Sequence, residues 1–416
     1  MRRENIIVGI DIGSHTFRTV IGETGVEDSA PQVLAIGSSS SQGVRRGMVV
    51  DLPDALTMLR NSLMAAERGA SYGYKIREAY VGVGGMNIEI ISSPGLIRVS
   101  RADGEVSADD VARVIDQAQT ISLPPNREII HVLPREFILD GVGGIKDVVG
   151  MRGVRLEVDV LLVSASSPSV ASVEKLLQEA GILIKGFVLS SLAAGRAVLS
   201  KRQRELGAVV IDIGGTSSDI SVFEEGNLIH STVFPVGSSH ITNDIAIGLK
   251  INIDLAEKIK LHHGTSLVSE INKREVIDLS KLDEHTEGLV SRREVIEIIE
   301  ARLTEIFGLV NRELKSIQRD RLLPAGAVIV GGGAKIPGIV DLAKRELRLP
   351  VQLGFPVGLN AFVDSIDDPS FATALGLILW ADDIERREGG RGSVFLPLQL
   401  RGAAHNIKQF IRSLLP

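Results

Sequence analysis

Cysteine is absent from all 416 residues. That excludes disulfides, thiolate zinc sites and thiol catalysis, and it suits a reducing compartment. Long apolar runs are missing too: no stretch reaches the ~20 residues a membrane-spanning helix needs. The N-terminus, MRRENIIVGIDIG, begins basic and then apolar, as a secretory leader does. Asp11 interrupts the run, however, and no small-residue cleavage site follows, so the sequence predicts a soluble, cytoplasmic body. A basic excess is lacking as well: 46 Lys and Arg stand against 52 Asp and Glu, a net charge of -6. A general nucleic-acid binder would show the opposite balance. What is present, 44% hydrophobic and 24% charged residues, belongs to a folded protein. A single core rarely grows past roughly 250–300 residues, so two or more domains are expected.

Two apolar strands end in the same way. Residues 6–12 (IIVGIDI) run into Asp11-Ile12-Gly13, and residues 208–213 (AVVIDI) run into Asp212-Ile213-Gly214. Small hydroxyl residues follow each turn, and then a second strand, at 17–22 and 219–223. A repeat half a chain apart predicts two domains of similar topology facing each other. A third glycine cluster, Gly331-Gly332-Gly333, follows the strand 327–330 and precedes a helix expected to open at Pro337.

Between the repeats, 84–166 reads as a small inserted α+β unit. It has strands at 88–99, 128–140 and 155–165 and a helix at 108–120 whose Ser107 and Asp110 suit a capping box. Residues 291–316 form the longest amphipathic helix. Ser291 and Glu294 suit a capping box at its start, and Val295, Ile298, Ile299, Leu303, Ile306, Phe307 and Val310 share one face. A further helix is expected over 370–383, where Trp380, the single tryptophan, packs. Residues 384–404 read as a linker. In the closing 405–416, Ile407, Phe410, Ile411, Leu414 and Leu415 make one apolar stripe flanked by Lys408 and Arg412, with no acid. Such a helix either lies in the headgroup zone of an anionic membrane or docks on the protein's own core.

A strand ending in Asp-x-Gly places two useful groups together. The glycine lets backbone amides approach a phosphate, and the carboxylate holds magnesium through water. One such turn is commonplace. Two matched copies plus a triple glycine after a third strand describe a phosphate clamp, with Asp11 and Asp212 across a shared magnesium; the alternative is three ordinary strand ends. His262-His263 has no partner ligand at metal spacing, so a polar loop is expected there. No Ser-His-Asp arrangement stands out.

The clamp resembles the actin, sugar-kinase and heat-shock-chaperone ATPase superfamily. Within it, GVRRGMVVD (43–51), GIKDVVGMRGVRLEVDV (144–160), FPVGSSHITNDIAIGL (234–249), AEKIK (256–260), GAVIVGGGAKIPG (326–338) and DPSFATALGL (368–377) fall in the order of the bacterial FtsA family. The similarity runs from about residue 5 to 382. It implies an α/β, actin-like two-domain fold in which an inserted α+β subdomain replaces the usual actin one, with a C-terminal amphipathic helix. The implied division is 1–83 with 167–200 and 366–383, the insertion 84–166, then 201–234 with 321–365, then 235–320.

By the same resemblance, Asp11, Gly13, Ser14, His15 and Thr16 form the first phosphate loop of an ATP and Mg2+ site. Asp212, Gly214, Gly215, Thr216 and Ser217 form the second. Glu257 and Lys260 flank the adenosine, and Gly331, Gly332, Gly333 and Ala334 lie against base and ribose. Without the resemblance, Glu257 and Lys260 read as a solvated helix face. Three departures are visible. The family's lysine after the first loop is replaced by Thr16, with Arg18 next on the same side of an extended strand. The second loop reads GGTSS where three glycines are usual, placing the Thr216 side chain near the phosphates. Where Glu or Gln usually orients the attacking water, the segment VLSSLAAG places Ser190. ATP binding with at most slow hydrolysis is therefore expected.

The implied role is a cell-division adaptor on the cytoplasmic face of the membrane at the division site. It polymerises with itself, binds other division proteins and holds the C-terminal peptide of the tubulin-like FtsZ on 235–320. Arg292, Arg293, Arg302 and Arg312 are candidate contacts for that peptide's acids; the alternative is that they solvate the helix. Two other readings share the fold: a PilM-like pilus-assembly adaptor, and a sugar or acyl kinase. The kinase needs a carboxylate base in the first domain, and none stands out.

Overall fold

A computed structural model describes residues 5–25, 29–70, 73–361 and 367–389. The chain opens with β1 (Ile6–Ile12), β2 (Thr16–Glu23) and β3 (Gln32–Ser40), then a short hairpin of β4 (Val44–Arg45) and β5 (Met48–Val49). Helix α1 (Leu52–Gly69) and β6 (Glu78–Val83) follow. The insertion holds β7 (Ile88–Arg98), α2 (Ala108–Gln119), β8 (Arg127–Leu139), β9 (Val142–Ile145) and β10 (Arg155–Ser166). Next come α3 (Ser167–Glu179), β11 (Leu183–Leu189), α4 (Ser190–Val198) and the single turn α5 (Lys201–Leu206).

The second half repeats the opening, with β12 (Ala208–Ile213), β13 (Ser218–Glu224) and β14 (Asn227–Phe234). Then follow α6 (Ser238–Leu249), α7 (Ile253–His263), β15 (Val276–Asp278), β16 (Leu289–Ser291) and α8 (Arg292–Ser316). The described chain ends with β17 (Ala327–Val330), α9 (Ile339–Leu347), β18 (Val351–Leu353), β19 (Asn360–Ala361) and α10 (Ala372–Gly389).

Two sheets carry the repeat. The first runs β11-β6-β1-β2-β3-β19 and the second β14-β13-β12-β17-β18. In each, the Asp-x-Gly strand pairs antiparallel with its hairpin partner on one side and parallel with a later strand on the other. Asp11 stands opposite Arg18 and Asp212 opposite Asp219, so these two pairs occupy equivalent places in the two sheets. The central strands are buried on both faces up to their Asp-x-Gly ends, which is why they are built mostly of Val and Ile. Both sheets splay their Asp-x-Gly ends toward the same space.

The insertion is its own sheet, β7-β10-β8-β9, with α2 packed on it. Its capping box is complete: Ser107 Oγ accepts from Asp110 N, and the Asp110 carboxylate accepts from Ser107 N. At α8, Ser291 accepts from Glu294 N, and only this half of the expected box forms. Ile298 is partly rather than fully buried on α8, and Ile296 joins the core beside the expected stripe.

Two expectations change. Pro337 does not open α9. It precedes Gly338, whose φ of 76° caps the helix in the left-handed region, and a 3-10 turn occupies Gly332–Lys335. Helix α10 also continues through the first six residues of the expected linker, to Gly389. Its charges are used: Arg386 pairs with Asp382 one turn back, and Glu385 with Lys185 of β11. The expected tail helix 405–416 and the linker beyond Gly389 lie outside the described residues. Among the described residues, no helix is long and apolar enough to cross a membrane.

Candidate functional site

The two Asp-x-Gly turns meet across one cleft. It is lined by Asp11, Gly13, Ser14, His15, Thr16 and Arg18 from one half and by Asp212, Gly214, Gly215, Thr216, Ser217 and Asp219 from the other. Gly331 and Gly332 close one side. The loops are tight enough to demand glycine. A Cβ on Gly13 would stand 2.6 Å from the Thr16 carbonyl oxygen, and one on Gly215 would stand 3.0 Å from the His15 Cβ of the opposite loop. Gly331, at φ 85°, lies so close to the Asp212 carboxylate that any side chain would collide with it. The second loop is tied to α6, since Ser238 N and Ser239 N donate to the Gly214 and Gly215 carbonyls, both at 2.8 Å.

Charge is concentrated and poorly compensated here. Removal from water raises the Asp11 pKa above the usual carboxylate range, and Arg18, 3.8 Å away, partly restrains the rise. Asp212 is pushed up to about 6, by burial first and by the Asp11 charge second; Arg18 and a hydrogen bond from Thr373 act against this. Asp219 is raised well above the ordinary range by burial, then by Asp212 and Asp11. Four buried polar atoms of cleft-lining residues have no hydrogen-bond partner: Arg18 Nε, Ser169 Oγ, Thr216 Oγ1 and Asp219 Oδ1. Among the described residues no three such side chains converge closely enough to ligate a metal directly, but three crowded carboxylates with one guanidinium, beside orphaned oxygens, suit a hard divalent cation held through its water shell. Arg18 also stacks over the Phe371 ring at 5.3 Å.

Not every expected residue reaches this cleft. Gly333 and Ala334 are buried in the core; a Cβ on Gly333 would collide with the Ile213 side chain. Glu257 and Lys260 stand at its margin, and they are not a solvated face. Lys260 is buried and lies 2.7 Å from Glu257; it donates to Thr242 Oγ1 at 2.8 Å and to the Ser238 carbonyl at 3.4 Å. Burial works to raise the Glu257 pKa, but hydrogen bonds from Lys260 and Thr242 outweigh it and the net shift is downward.

Ser190, at the first turn of α4, lines the cleft beside Gly82 and Gly84. Asp219 is the residue that sequence reading passed over: in an alternating strand it looks like any polar position. The signal lay in the repeat, because Asp219 is the counterpart of Arg18.

Of the four arginines on α8, three are engaged within the molecule. Arg302 grips both oxygens of Asp244 on α6, Arg292 pairs with Glu275, and Arg293 with Glu297. Arg312 is exposed. The candidates therefore do not form one free basic patch. Among the described residues no metal-ligating cluster forms around His262-His263, which close α7.

Residues 209–376 match the family described as Cell division protein FtsA, and residues 85–164 match the SHS2 domain inserted in FtsA. The Cell division protein FtsA of Borreliella burgdorferi is 35% identical over 92% of this chain and 92% of its own length. The chain belongs to the FtsA family of cell division proteins. Among solved structures, the fold is similar to that of the PilM–PilN type IV pilus biogenesis complex, with a TM-score of 0.64 at 18% identity over 90% of this chain and 98% of the other. It is also similar to MreB 5 of Spiroplasma citri bound to AMPPNP, with a TM-score of 0.56 at 13% identity over 92% and 98%. The fold is thus actin-like with the FtsA insertion. The FtsA assignment sets aside the pilus-adaptor and kinase readings that share the architecture.

Proposed function

We propose that this FtsA-family chain is a nucleotide-gated membrane adaptor. It binds Mg2+–ATP in the cleft, assembles with copies of itself, and sits through 405–416 on the anionic inner face of the membrane at the division site. On 235–320 it holds the C-terminal peptide of FtsZ, and it meets other division proteins. The observation that carries the reading is the pairing of two equivalent Asp-x-Gly turns across one cleft. Backbone amides of Gly13–His15 and of Gly215 and Thr216 cradle phosphates, while the Gly214 amide closes its own turn on the Ser217 carbonyl, and Asp11 and Asp212 hold the cation through water. Asp219 and the Thr216 hydroxyl add acceptors, and Arg18, next to Thr16 on the same side of β2, supplies a cation in the absence of the family lysine. A bound magnesium ion supplies the positive charge that the crowded carboxylates call for.

Glu257 and Lys260, braced by Thr242, flank the nucleoside beside Gly331 and Gly332. Ser190 is short and uncharged, so it activates water poorly, and turnover falls well below the ~1–100 s⁻¹ of typical kinases. For the peptide, exposed Arg312 is the best placed of the four arginines, since the others are already paired. Calorimetry with Mg2+–ATP tests the centre of this reading. Asp212→Ala should bind at least tenfold more weakly than the parent chain; equal affinity would remove the clamp.

A further inference from the structure

On the far side of the crossing helices lies a second cavity, of about 500 Å³. Three parts of the molecule build it. The insertion gives Leu133 and Lys146, the second sheet gives Phe223 and Leu228, and the crossing helices α4 and α10 give Leu192 and Trp380. Leu133, Leu192, Phe223 and Leu228 are buried apolar side chains whose surfaces form the floor. Its volume lies within the ~300–1,000 Å³ of small-molecule sites, and its apolar floor sits under a charged rim in which the cations Lys146, Arg196, Lys201 and Arg204 outnumber the acids Glu205, Glu225 and Asp383.

The polar rim is unevenly satisfied. Arg196 spends its guanidinium on both oxygens of Asp383, at 2.7 and 3.1 Å. Lys146 Nζ donates to the Glu225 carbonyl at 2.7 Å. Arg204, half-buried on α5, donates Nη1 to the Leu199 carbonyl at 2.8 Å and has no carboxylate within ion-pair distance among the described residues. Burial and the neighbouring Arg196 charge both disfavour its cation, and Asp383 and Glu205 relieve this only at a distance. A partly dehydrated guanidinium with spare donors recognises a carboxylate or phosphate.

We infer that this cavity is a binding site for a small amphipathic anion, with an acyl or aryl body on the Leu192–Phe223–Leu228–Trp380 floor and a carboxylate or phosphate head on Arg204. A ligand seated there touches the insertion, the second sheet and both crossing helices at once. The site is separate from the cleft that holds Asp11 and Asp212.

Trp380 is the single tryptophan, so its emission reports this cavity directly. The full-length chain is titrated with decanoate, decyl phosphate and decanol below their aggregation limits. Either anion should change the emission saturably, and the tighter of the two identifies the head group. Decanol should bind at least tenfold more weakly than that anion. Arg204→Gln should weaken the anion at least tenfold, and Arg204→Lys should recover part of the loss. The proposal is overturned if neither anion saturates the signal, if decanol binds as tightly as the anions, or if folded Arg204→Gln binds as the parent does. The comparison of decanol with the anions uses the parent chain alone, so it decides even if Arg204→Gln does not fold.

Discussion

The carboxylates of the cleft carry a stability cost that pH can reveal. Asp212 titrates near 3.8 in an unfolded chain and near 6 in the folded one. A raised carboxylate pKa means that the folded state holds the proton more tightly. Its destabilising effect is absent below the unfolded value, grows through the window from about 4 to 6, and is complete above it. Two pKa units correspond to about 3 kcal/mol, less whatever relaxation of neighbouring charges returns. Without ligand, Asp212→Asn should therefore melt higher than the parent at pH 7.5, and the gain should shrink toward zero near pH 4. Thermal melts of both chains across that range measure it. A constant difference at all pH values would mean that packing, not ionisation, sets the effect. The same substitution should weaken Mg2+–ATP, so a site more stable when empty and weaker when filled is the signature of a residue kept for binding.

Among the elements, α10 crosses close over α4, and glycine permits it. A Cβ on Gly376 would collide with the Ala193 carbonyl, and Gly9 of β1 makes similar room beneath Leu377. Gly376→Ala should cost at least the ~1–3 kcal/mol of ordinary overpacking, because backbone rather than a side-chain tip must move. Gly308, inside α8, has nothing within 4 Å of its missing Cβ. Gly308→Ala should stabilise by about 0.5–1 kcal/mol through helix propensity alone. Urea midpoints of the two variants should move in opposite directions; a shared direction would contradict the packing described for α10.

The contrast shows what the sequence makes legible. The Asp-x-Gly strands, the insertion and the α8 stripe announce themselves by local period and by repetition. The crossing does not, because Gly376 in ALGLILW reads as a weak point in a helix until Ala193 is placed beside it. Asp219 and the continuation of α10 through Ile384–Gly389 stayed hidden for the same reason. One takes its meaning from strand register, the other from ion pairs with Asp382 and Lys185.

For the whole molecule, the question is what fastens it to a membrane. Helix α10 ends the described chain at Gly389, and the stripe of Ile407, Phe410, Ile411, Leu414 and Leu415 follows after residues 390–404, which hold three glycines, two arginines and the apolar run Val394-Phe395-Leu396. Each apolar side chain contributes ~1.5–3 kcal/mol when fully buried, and less at the partial depth of an interfacial helix. Lys408 and Arg412 add about 1 kcal/mol each near an anionic surface. Apolar insertion therefore dominates. Phe410→Glu should reduce pelleting with anionic vesicles more than Lys408→Ala does, and added salt should weaken binding only in part, since it screens the charges alone. On the proposed reading one copy should bind reversibly and many copies in a filament firmly, because each attachment raises the local concentration of the next. Deleting 405–416 should abolish pelleting while leaving cooperative melting and Mg2+–ATP binding as in the parent. Loss of the melting transition would place the stripe in the core, and undiminished pelleting of a folded deletion would place the membrane contact elsewhere on the molecule.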